Sequence, residues 1–397
     1  MTQGTIWPQA GAGEATAALA GIRVLDFSRM LPGPWCTQML ADFGADVIKV
    51  EQAGTGDPSR HNPPDFDTTG VYFQNVNRGK RSLAVDLKTA EDRALVHALM
   101  AEADVIVESY RVGVPARLEV DYETAKRLKP DIIYCSITGY GQTGPLASIP
   151  GHDLVVQSVT GVMGAAPRDA GDLPPVPQFQ AADYAAANFA LIGILTALHK
   201  RARTGEGAFL DVSMFDTLYN MTGVIAGAAL SRLHRDKPVA DMELFGGNPR
   251  YATYRVRDGA VAVSLLEAHI WARFCRVIGR EDLIDPDEGW EQRHTDHGDR
   301  SALYREALAT YCLAHTRDEL AAKMLAHDIP ITPVLTPQEA LRSEHVAGRK
   351  LVEWVEHPRD GRIPVLANPL AASGLAVSSA AAPDLDDVGP QLRARLG

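Results

Sequence analysis

An α/β fold built around a doubly wound parallel sheet is the fold class that the sequence predicts. Two observations predict it. Short apolar strands alternate with amphipathic helices between residues 22 and 137, and the first strand, helix and second strand lie within a stretch of about 30 residues. Parallel strands need a crossover of this kind, and continuously apolar strands are typical of sheets that are covered on both faces. Alternating strands and helices therefore indicate a doubly wound sheet.

The first part of the chain supplies these elements in order. Trp35, Met39, Leu40 and Phe43 lie on one helical stripe, and Gly44 follows them where a helix C-cap is expected. The predicted strands cover 22–27, 45–51, 82–87, 104–108 and 132–137, and the predicted helices cover 35–43, 91–103 and 122–128.

The pattern changes in the second half of the chain. Helices are expected at 182–200, 212–230, 268–279 and 301–326, and strands at 251–256 and 260–264. The two strands are joined by Arg257-Asp258-Gly259, which is typical of a hairpin turn. This middle stretch therefore predicts a separate α+β domain. The Ala- and Ser-rich segment 371–382 is expected to be a loose tail.

Length, charge and cysteine usage narrow the classes of function. A chain of 397 residues is expected to form two or three domains. Its 39 Lys and Arg against 50 Asp and Glu give a net charge of −11, so nucleic acid and anionic membranes are not expected partners. We expect no membrane-spanning helix, because no apolar run of about 18 residues occurs. Four scattered cysteines without a CxxC pair predict free thiols in a reducing cytoplasm rather than a metal site.

Several cations stand next to predicted strands. Asn77-Arg78-Gly79-Lys80-Arg81 places three positive charges in four residues before a strand, Lys49 ends the second strand, and Arg111 follows the fourth. Ligands of an open α/β sheet bind outside the carboxyl ends of the strands, so these cations could hold phosphates. A solvated basic loop is the alternative. The sequence contains neither GxGxxG after the first strand nor GxxxxGK[ST], so the usual nucleotides are not indicated.

Three further residues are candidates for chemistry. Asp183 stands at the start of the long helix, where a carboxylate is also favoured simply by the helix N-terminus. His152 follows a glycine turn, and its imidazole, with an ordinary pKa of roughly 6.5, can accept a proton at pH 7. The alternative is an ordinary surface histidine. Glu267 follows the hairpin, where a helix N-terminal acid is the alternative.

The order of several motifs resembles that of the family III CoA-transferases, a superfamily that also contains the α-methylacyl-CoA racemases. The resemblance spans most of residues 20–355. The motifs are VLDFSR and PGP after the first strand, LADFGADVIKVE, GTGD at 54–57, NRGKRSL at 77–83, ESYR at 108–111 and SITGYGQTGP at 136–145.

The resemblance implies the domain organisation and the ligand. It implies a Rossmann-like large domain over 20–225 completed by 340–397, a smaller α+β domain over 226–339, and a homodimer whose subunits interlock like links of a chain. The active site would lie at the interface between them. The substrate would be an acyl-CoA thioester, with no metal. The adenosine and pyrophosphate end of coenzyme A would meet Lys49, Asn77, Arg78, Lys80, Arg81 and Arg111.

The resemblance also implies roles for the three candidates. Asp183 matches the family's catalytic aspartate, which is the nucleophile in transferases and moves a proton in racemases. His152 stands where racemases carry His and transferases commonly carry Tyr. Glu267, followed by Trp271, matches a racemase glutamate that would orient the imidazole.

The sequence therefore predicts a 2-methylacyl-CoA racemase or epimerase that works by 1,1-proton transfer. His152 and Asp183 would act on opposite faces of C2, and backbone N–H groups near Asp183 would meet the enolate oxygen. The alternative is a CoA-transferase that moves CoA between carboxylic acids through a thioester on Asp183. The stretches 54–57 and 77–83 and the loop 246–248 look more like transferases, although Leu31 stands where some transferases carry Gln. A CoA-binding protein without catalysis is the third reading.

Overall fold

A computed structural model describes residues 5–8, 17–165, 172–235, 247–375, 377 and 379–396 of the chain. Its contacts divide the protein into two compact units. Unit 1 consists of Met1–Gly161, Val176–Thr222 and Glu344–Gly397, and unit 2 consists of Val162–Pro175 and Gly223–Ser343. Gly246, the first residue of the transferase-like loop 246–248, lies outside the described residues. The domain boundaries inferred from the sequence stay a prediction.

The strands of the described residues form three sheets. They are β1 (Arg23–Asp26), β2 (Asp46–Gln52), β3 (Arg81–Val85), β4 (Val105–Glu108), β5 (Ile133–Thr138), β6 (Ala208–Ser213), β7 (Tyr251–Val256), β8 (Gly259–Ser264), β9 (Ile331–Pro333), β10 (Val352–His357) and β11 (Gly361–Leu366). The first six strands form one sheet in the order β3-β2-β1-β4-β5-β6, and every neighbouring pair is parallel. The predicted α/β fold with a parallel sheet is confirmed.

Fifteen α-helices accompany these strands within the described ranges. They are α1 (Pro32–Asp42), α2 (Val71–Asn77), α3 (Ala90–Glu102), α4 (Val114–Arg117), α5 (Tyr122–Leu128), α6 (Asp153–Val159), α7 (Ala181–Thr204), α8 (Met214–Met221), α9 (Gly227–His234), α10 (Ala268–Val277), α11 (Ser301–Leu313), α12 (Arg317–Leu325), α13 (Pro337–Leu341), α14 (Glu344–Gly348) and α15 (Gly389–Leu396).

The central strands of unit 1 are apolar because they are buried on both faces. Leu25 of β1 lies beside Ile48 of β2 and Ile106 of β4, and all three side chains are fully buried. From β1 the chain proceeds to β2 and β3 on one side, whereas β4, the neighbour of β1 on the other side, leads on to β5 and β6 in the opposite direction. This reversal creates a crevice at the carboxyl ends of the strands, where ligands of such sheets bind.

The single helix predicted over 212–230 is wrong. Residues 208–213 form β6, which pairs with β5 and completes the sheet. The Ser213 side chain then accepts a hydrogen bond from the Asp216 N–H and begins α8, which ends at Met221. A separate α9 follows. The sequence pattern failed here because β6 is an edge strand with a mixed pattern of burial.

The helix predicted over 301–326 is in fact two helices. Thr316 separates α11 from α12, and its side chain accepts a hydrogen bond from the Glu319 N–H while the Glu319 carboxylate accepts one from the Thr316 N–H. This reciprocal capping box starts a new helix. Both helices pack with the hairpin β7–β8 and with β9 around the core of unit 2, in which Trp271 and Phe274 are buried.

The sequence predicts no segment with the length and composition of a membrane-spanning helix, but α7 has both. By length and apolar composition alone, Ala181–Thr204 would be sufficient to cross a membrane. The core helix of a globular domain passes the same test, and α7 packs against α1, α8, β5 and β6 with Ala186, Ala190 and Ile194 fully buried.

The Ala- and Ser-rich segment 371–382 is anchored at its end, although its residues 371–375 are exposed. Ala382 is buried and its N–H donates to Gln74 Oε1 at 2.9 Å. Further on, Asp386 Oδ1 accepts from the Ala84 N–H at 2.8 Å, and the Val388 N–H donates to the Ser82 carbonyl at 3.1 Å. The outer edge of β3 is therefore covered by residues from the end of the chain.

Candidate active site

His152 is positioned by a close crossing of two backbone segments. A Cβ atom on Gly139 would lie 2.7 Å from the Gly151 Cα, and a Cβ on Gly151 would lie 2.5 Å from the Gly139 Cα. Only glycine at both positions permits this approach, because a side chain would overlap backbone that cannot move aside. The crossing holds His152, an exposed residue at the start of α6, next to the carboxyl end of β5.

Asp153 joins α6 to the first turn of α7. Its Oδ1 accepts hydrogen bonds from the Ala182 N–H at 2.8 Å and the Asp183 N–H at 3.3 Å, and its Oδ2 accepts from Gln157 Nε2 at 2.6 Å. The N-terminal residues of a helix lack intrahelical acceptors for their N–H groups, and Asp153 supplies one from another helix. Sequence reasoning missed this residue, although it directly follows His152.

These contacts correct one expectation about the enolate oxygen. The N–H groups of Ala182 and Asp183, which the sequence suggested as donors to it, already donate to Asp153. The next N–H, of Tyr184, donates to the Gln180 carbonyl. The start of α7 therefore positions the Asp183 carboxyl but directs its first N–H groups into the protein.

His152 and Asp183 line the same cleft in unit 1. The cleft has a volume of about 470 Å³. Its walls come from the loops that follow three strands of the sheet: Arg29 and Met30 after β1, Ser109 to Val112 after β4, and Thr138 and Gly139 at the end of β5, with Tyr72 and Met214 beside them. The cleft thus lies at the carboxyl ends of β1, β4 and β5, where the strand order predicts a ligand site.

The Asp183 carboxyl has an unusual proton affinity. Burial raises its pKa, the negative charge of Asp153 raises it further, and together they bring it to about 7. Within the described residues, no lysine, arginine or histidine forms an ion pair with Asp183. Because the pKa lies near neutral pH, the carboxyl is present in both protonation states and can give or take a proton.

Most of the cations that the sequence offered as phosphate ligands have partners inside the protein. Lys49 lies 2.9 Å from Asp57 and Lys80 lies 3.0 Å from Asp26, with all four side chains inaccessible to solvent. Two more of these cations form ion pairs, Arg78 with Asp42 and Arg81 with Asp46. The Asn77 side-chain oxygen accepts a hydrogen bond from Lys80. We call Lys49, Asp57, Lys80 and Asp26 the buried ion-pair cluster.

The buried ion-pair cluster is predominantly charged at neutral pH. Burial opposes the ionisation of Asp26. The positive charges of Lys80 and Lys49, together with hydrogen bonds from two hydroxyl groups, nevertheless hold the pKa of Asp26 at about 2. Burial lowers the pKa of Lys80, but only to about 8, because Asp26 stabilises the ammonium group. Buried charges of this kind persist because each has a partner and hydrogen bonds.

One function of the cluster is visible in the turn that follows β1. Met30 has a left-handed backbone with φ of 66°, which is uncommon for a residue with a side chain. Its N–H donates to the Asp57 carboxylate at 3.2 Å, and Lys49 Nζ donates to the Ser28 carbonyl at 2.8 Å. Asp26 Oδ1 accepts from the Ser28 N–H at 2.9 Å. The cluster therefore holds the Ser28–Met30 turn at the edge of the cleft.

Two cations do face the cleft. Arg111 is exposed and lines it, and the contacts of the described residues include no carboxylate partner for it. Arg29, which sequence reasoning missed, also lines the cleft, and its guanidinium lies over the Tyr110 ring, 5.5 Å from the centroid. The signal that could have found it is its place directly after the first strand. Contact of coenzyme A with the six residues named from the sequence stays a prediction.

Glu267 belongs to unit 2. It stands at the start of α10 and pairs with Arg293 at 2.8 Å. Trp271, which completed the motif in the sequence, is 1% exposed and stacks on Phe274 in the core of that unit. The predicted place of Glu267 beside His152 stays a prediction. In the part of the chain that the structure describes, no group of three His, Cys, Asp or Glu side chains is arranged to hold a metal ion.

Sequence comparison gives the family context of this site. The sequence profile of CoA-transferase family III matches residues 19–387. A succinyl-CoA:mesaconate CoA-transferase of Haloarcula hispanica is 34% identical over 372 residues, which cover 89% of each chain. A succinyl-CoA:glutarate CoA-transferase of Mus musculus is 32% identical, with 92% of this chain and 83% of the relative covered. An alpha-methylacyl-CoA racemase of Mus musculus is 31% identical, with 82% and 80% covered.

Structure comparison agrees with the sequence comparison. The crystal structure of a CAIB/BAIF family protein from Brucella suis superposes with a TM-score of 0.80 at 32% identity, over 96% of this chain and 100% of the other. The likeness therefore extends over both compact units and not only over the parallel sheet.

Proposed function

Because the chain belongs to CoA-transferase family III, whose profile covers residues 19–387, we propose that it acts on acyl-CoA thioesters as a 2-methylacyl-CoA racemase or epimerase. One observation carries this proposal. An imidazole, His152, and a carboxyl with a pKa of about 7, Asp183, line one cleft, which two arginines also line. Two proton-transferring groups and a cationic wall are what a reaction at C2 of a CoA thioester requires.

Binding begins with the phosphates of coenzyme A. Arg29 and Arg111 provide planar guanidinium groups at the carboxyl ends of β1 and β4. Each such group can donate two parallel hydrogen bonds to two oxygens of one phosphate. The local charge matters because the protein as a whole carries −11 and repels a polyanion at longer range. The thioester end then extends toward Asp183.

Proton transfer at C2 uses the two groups in turn. The hydrogen on the carbon next to a thioester carbonyl is weakly acidic, and Asp183 as carboxylate removes it from one face to leave the enolate. His152 as imidazolium returns a proton to the other face. For the opposite enantiomer the roles are exchanged. Afterwards each group recovers its starting state by exchange with water, so solvent hydrogen enters at C2.

CoA transfer is the second candidate, and the names of the relatives favour it, since the 34% and 32% identical proteins are called CoA-transferases. In this reaction the Asp183 carboxylate attacks the thioester carbonyl, and the CoA thiolate leaves a mixed anhydride behind. The thiolate then attacks the Asp183 carbonyl, which releases the first acid and forms an aspartyl thioester. An acceptor carboxylate attacks this thioester and expels the CoA thiolate, which leaves a second mixed anhydride. The thiolate then attacks the acceptor's acyl carbonyl, which forms the new acyl-CoA and releases the Asp183 carboxylate.

One experiment separates the two candidates. The protein is incubated in D2O with a single enantiomer of a 2-methylacyl-CoA and no free acid, and deuterium at C2 and the enantiomer ratio are followed by mass spectrometry and chiral chromatography. A racemase incorporates deuterium as the enantiomers equilibrate. Absence of exchange with every branched thioester tested, together with CoA exchange into free acids and hydroxylamine trapping at Asp183, would overturn the first proposal in favour of the second.

Variants sharpen that result. His152→Ala removes one of the two proton carriers and should abolish racemisation, whereas a transferase that works through Asp183 alone should keep part of its activity. Asp183→Ala should abolish both reactions. A protein that merely binds CoA would show neither reaction in the unchanged chain.

We also propose that the active protein is an interlocked homodimer. Large apolar side chains of unit 1 are exposed in the single chain, among them Ile192 of α7 and Tyr219 and Met221 of α8, each more than half exposed. Exposed apolar area of this kind is typical of subunit interfaces. Sedimentation of the purified protein at several concentrations tests this, since a mass of 42.8 kDa throughout would mean a monomer.

A further inference from the structure

A second cavity lies in unit 1 beside the cleft. Its volume is about 420 Å³, and it is bounded by α1, α2, the start of α7 and residues 366–369. Its walls are mainly apolar or aromatic: Leu31, Trp35, Met39, Tyr72, Val76 and Tyr184. None of these side chains is needed for the proton transfer described above, so the cavity requires another explanation.

Two tyrosines join this cavity to the reacting carboxyl. Tyr72 lines both the cavity and the cleft, and Tyr184, which directly follows Asp183, lines the cavity. Burial and then the negative charge of Asp183 raise the pKa of both phenols. The Tyr184 ring also packs edge-on against Trp35, with 5.8 Å between centroids. A group attached to a carbonyl at Asp183 is therefore within reach of the cavity.

The cation in the cavity wall, Arg78, and the amides of Asn75 and Asn368 already have partners inside the protein. Arg78 pairs with Asp42 through two nitrogens and donates through the third to the Leu366 carbonyl. Asn75 Oδ1 accepts from the Leu366 N–H at 3.2 Å, and Asn368 Nδ2 donates to Asp42 at 3.0 Å. The cavity consequently offers apolar surface without a positive charge that could neutralise an entering carboxylate.

We propose that this cavity is the acyl pocket and that the protein prefers CoA thioesters of apolar monocarboxylic acids to those of dicarboxylic acids. This rests on the proposed function in one respect, that Asp183 is the reacting group. The preference differs from the succinyl, glutarate and mesaconate substrates in the names of its relatives. Moving a carboxylate from water into an apolar pocket with no partner is strongly unfavourable.

The energetics of apolar burial set the size of the effect. Each methylene group that enters the pocket should tighten binding by about fourfold until the pocket is full. The acyl group leaves water when the thioester binds, whichever of the two reactions follows. The tighter binding per methylene group should therefore be measurable as affinity for the thioester in either case.

Affinity without an acceptor acid is accordingly the test. Dissociation constants are measured by calorimetry for CoA, 2-methylbutanoyl-CoA, 2-methylhexanoyl-CoA, 2-methyloctanoyl-CoA, methylsuccinyl-CoA and 2-methylglutaryl-CoA. We expect tighter binding as the apolar chain lengthens and at least tenfold weaker binding of each dicarboxylic thioester than of an apolar thioester of similar length. Equal or tighter binding of the dicarboxylic thioesters would overturn the proposal.

Two variants locate the preference. Trp35→Ala enlarges the pocket at a half-buried position, so the chain length that binds best should increase, while Val76→Phe narrows the pocket and should weaken binding of 2-methyloctanoyl-CoA at least tenfold without changing the affinity for CoA. Val334→Phe, at an exposed position in unit 2, is the matched control and should change neither. An unchanged chain-length profile in Trp35→Ala would place the acyl group elsewhere, even if Val76→Phe failed to fold.

The outcome is separable from that of the proposed function. If neither deuterium exchange nor CoA transfer is found but the affinity pattern and its loss in the variants appear, the pocket stands and the reaction is wrong. If exchange or transfer occurs but affinity is indifferent to the acyl chain, the reaction stands and the pocket is wrong.

Discussion

Two sets of charged side chains lie near the turn that follows β1, and they differ in whether they have partners. The buried ion-pair cluster contains Lys49 and Lys80, each inaccessible to solvent and within 3.0 Å of a carboxylate. The cleft contains Asp183 and Arg111, which have no oppositely charged partner among the described residues. The first set has its charges neutralised inside the protein, and the second set leaves them for a ligand.

This difference distinguishes charges that stabilise the fold from charges that are available for function. A buried charge with a partner contributes to the fold and to the placement of its neighbours, here the Ser28–Met30 turn. A charge in the cleft without a partner keeps its capacity to bind phosphate or to move a proton. Substitutions in the two sets should consequently affect different measurements.

The largest effect is expected for Asp183→Asn. Because the amide can neither move a proton nor attack a thioester, activity should fall at least about 1,000-fold in deuterium exchange or CoA transfer. Thermal stability should stay the same or rise, because the variant removes a charge that burial and Asp153 disfavour. Glu123→Gln on the exposed face of α5 is the control. Retained activity would remove Asp183 from the chemistry.

Lys49→Met should affect stability first. Removing one partner of a buried ion pair leaves Asp57 charged and unpaired, so the free energy of unfolding in urea should fall by about 3–5 kcal/mol. The double variant Lys49→Met/Asp57→Leu should recover much of this loss. If Lys49→Met instead kept its stability and only weakened the binding of CoA, the phosphate role that the sequence suggested for Lys49 would be correct and the comparison would fail.

Arg111→Met should give the opposite pattern. Its guanidinium lies in the cleft, so KM for the CoA thioester should rise roughly tenfold, which is the loss of one charged hydrogen bond. The unfolding free energy should change by less than about 0.5 kcal/mol, as expected for an exposed position. An unchanged KM would show that Arg111 does not meet the substrate.

The smallest effect is a shift in pH dependence. Asp153→Asn keeps an oxygen acceptor for the Ala182 N–H but removes the like charge that raises the pKa of Asp183. For the enantiomer whose proton Asp183 removes, the exchange rate should rise with pH through about 7 in the unchanged protein and through a lower pH in the variant. If the pH at which the exchange rate rises were the same in the variant, a group other than Asp183 would control that rise.

The same carboxyl has a consequence for stability, with a defined sign. The folded-state pKa of Asp183, about 7, lies above its ordinary value of 3.8, so the folded protein binds this proton more tightly than the unfolded chain does. The resulting stability is fully present below pH 3.8 and is lost as the pH rises through about 7. Urea unfolding of the unchanged chain and Asp183→Asn should therefore diverge with rising pH across this window.

Much of the sheet could be predicted from the sequence because its strands are short, continuously apolar and separated by amphipathic helices. β6 was missed for a physical reason. It is an edge strand in which Phe209 is 41% exposed and Val212 is buried, and its apolar residues run on into α8 without a glycine or proline between them. Only the pairing with β5 distinguishes it from the start of a helix.

The candidate site was predictable only in part. His152 and Asp183 were identified through a resemblance, and both line the cleft. The burial of Lys80 could not be foreseen, because its partner Asp26 is 54 positions away in the sequence and meets it only when β1 and α1 are in place. The same holds for Asp153 and Asp183, whose contact depends on the docking of α6 on α7.

The contact between β3 and residues 386–388 can form only after almost the whole chain has been synthesised. The edge of a strand that forms early in translation is covered by hydrogen bonds from residues made some 300 positions later, such as the bond from the Ala84 N–H to Asp386. While the ribosome is still making the intervening residues, this edge stands open and can pair with another nascent chain. Truncation of the last dozen residues, or a bulky tag fused there, should therefore lower the yield of soluble protein.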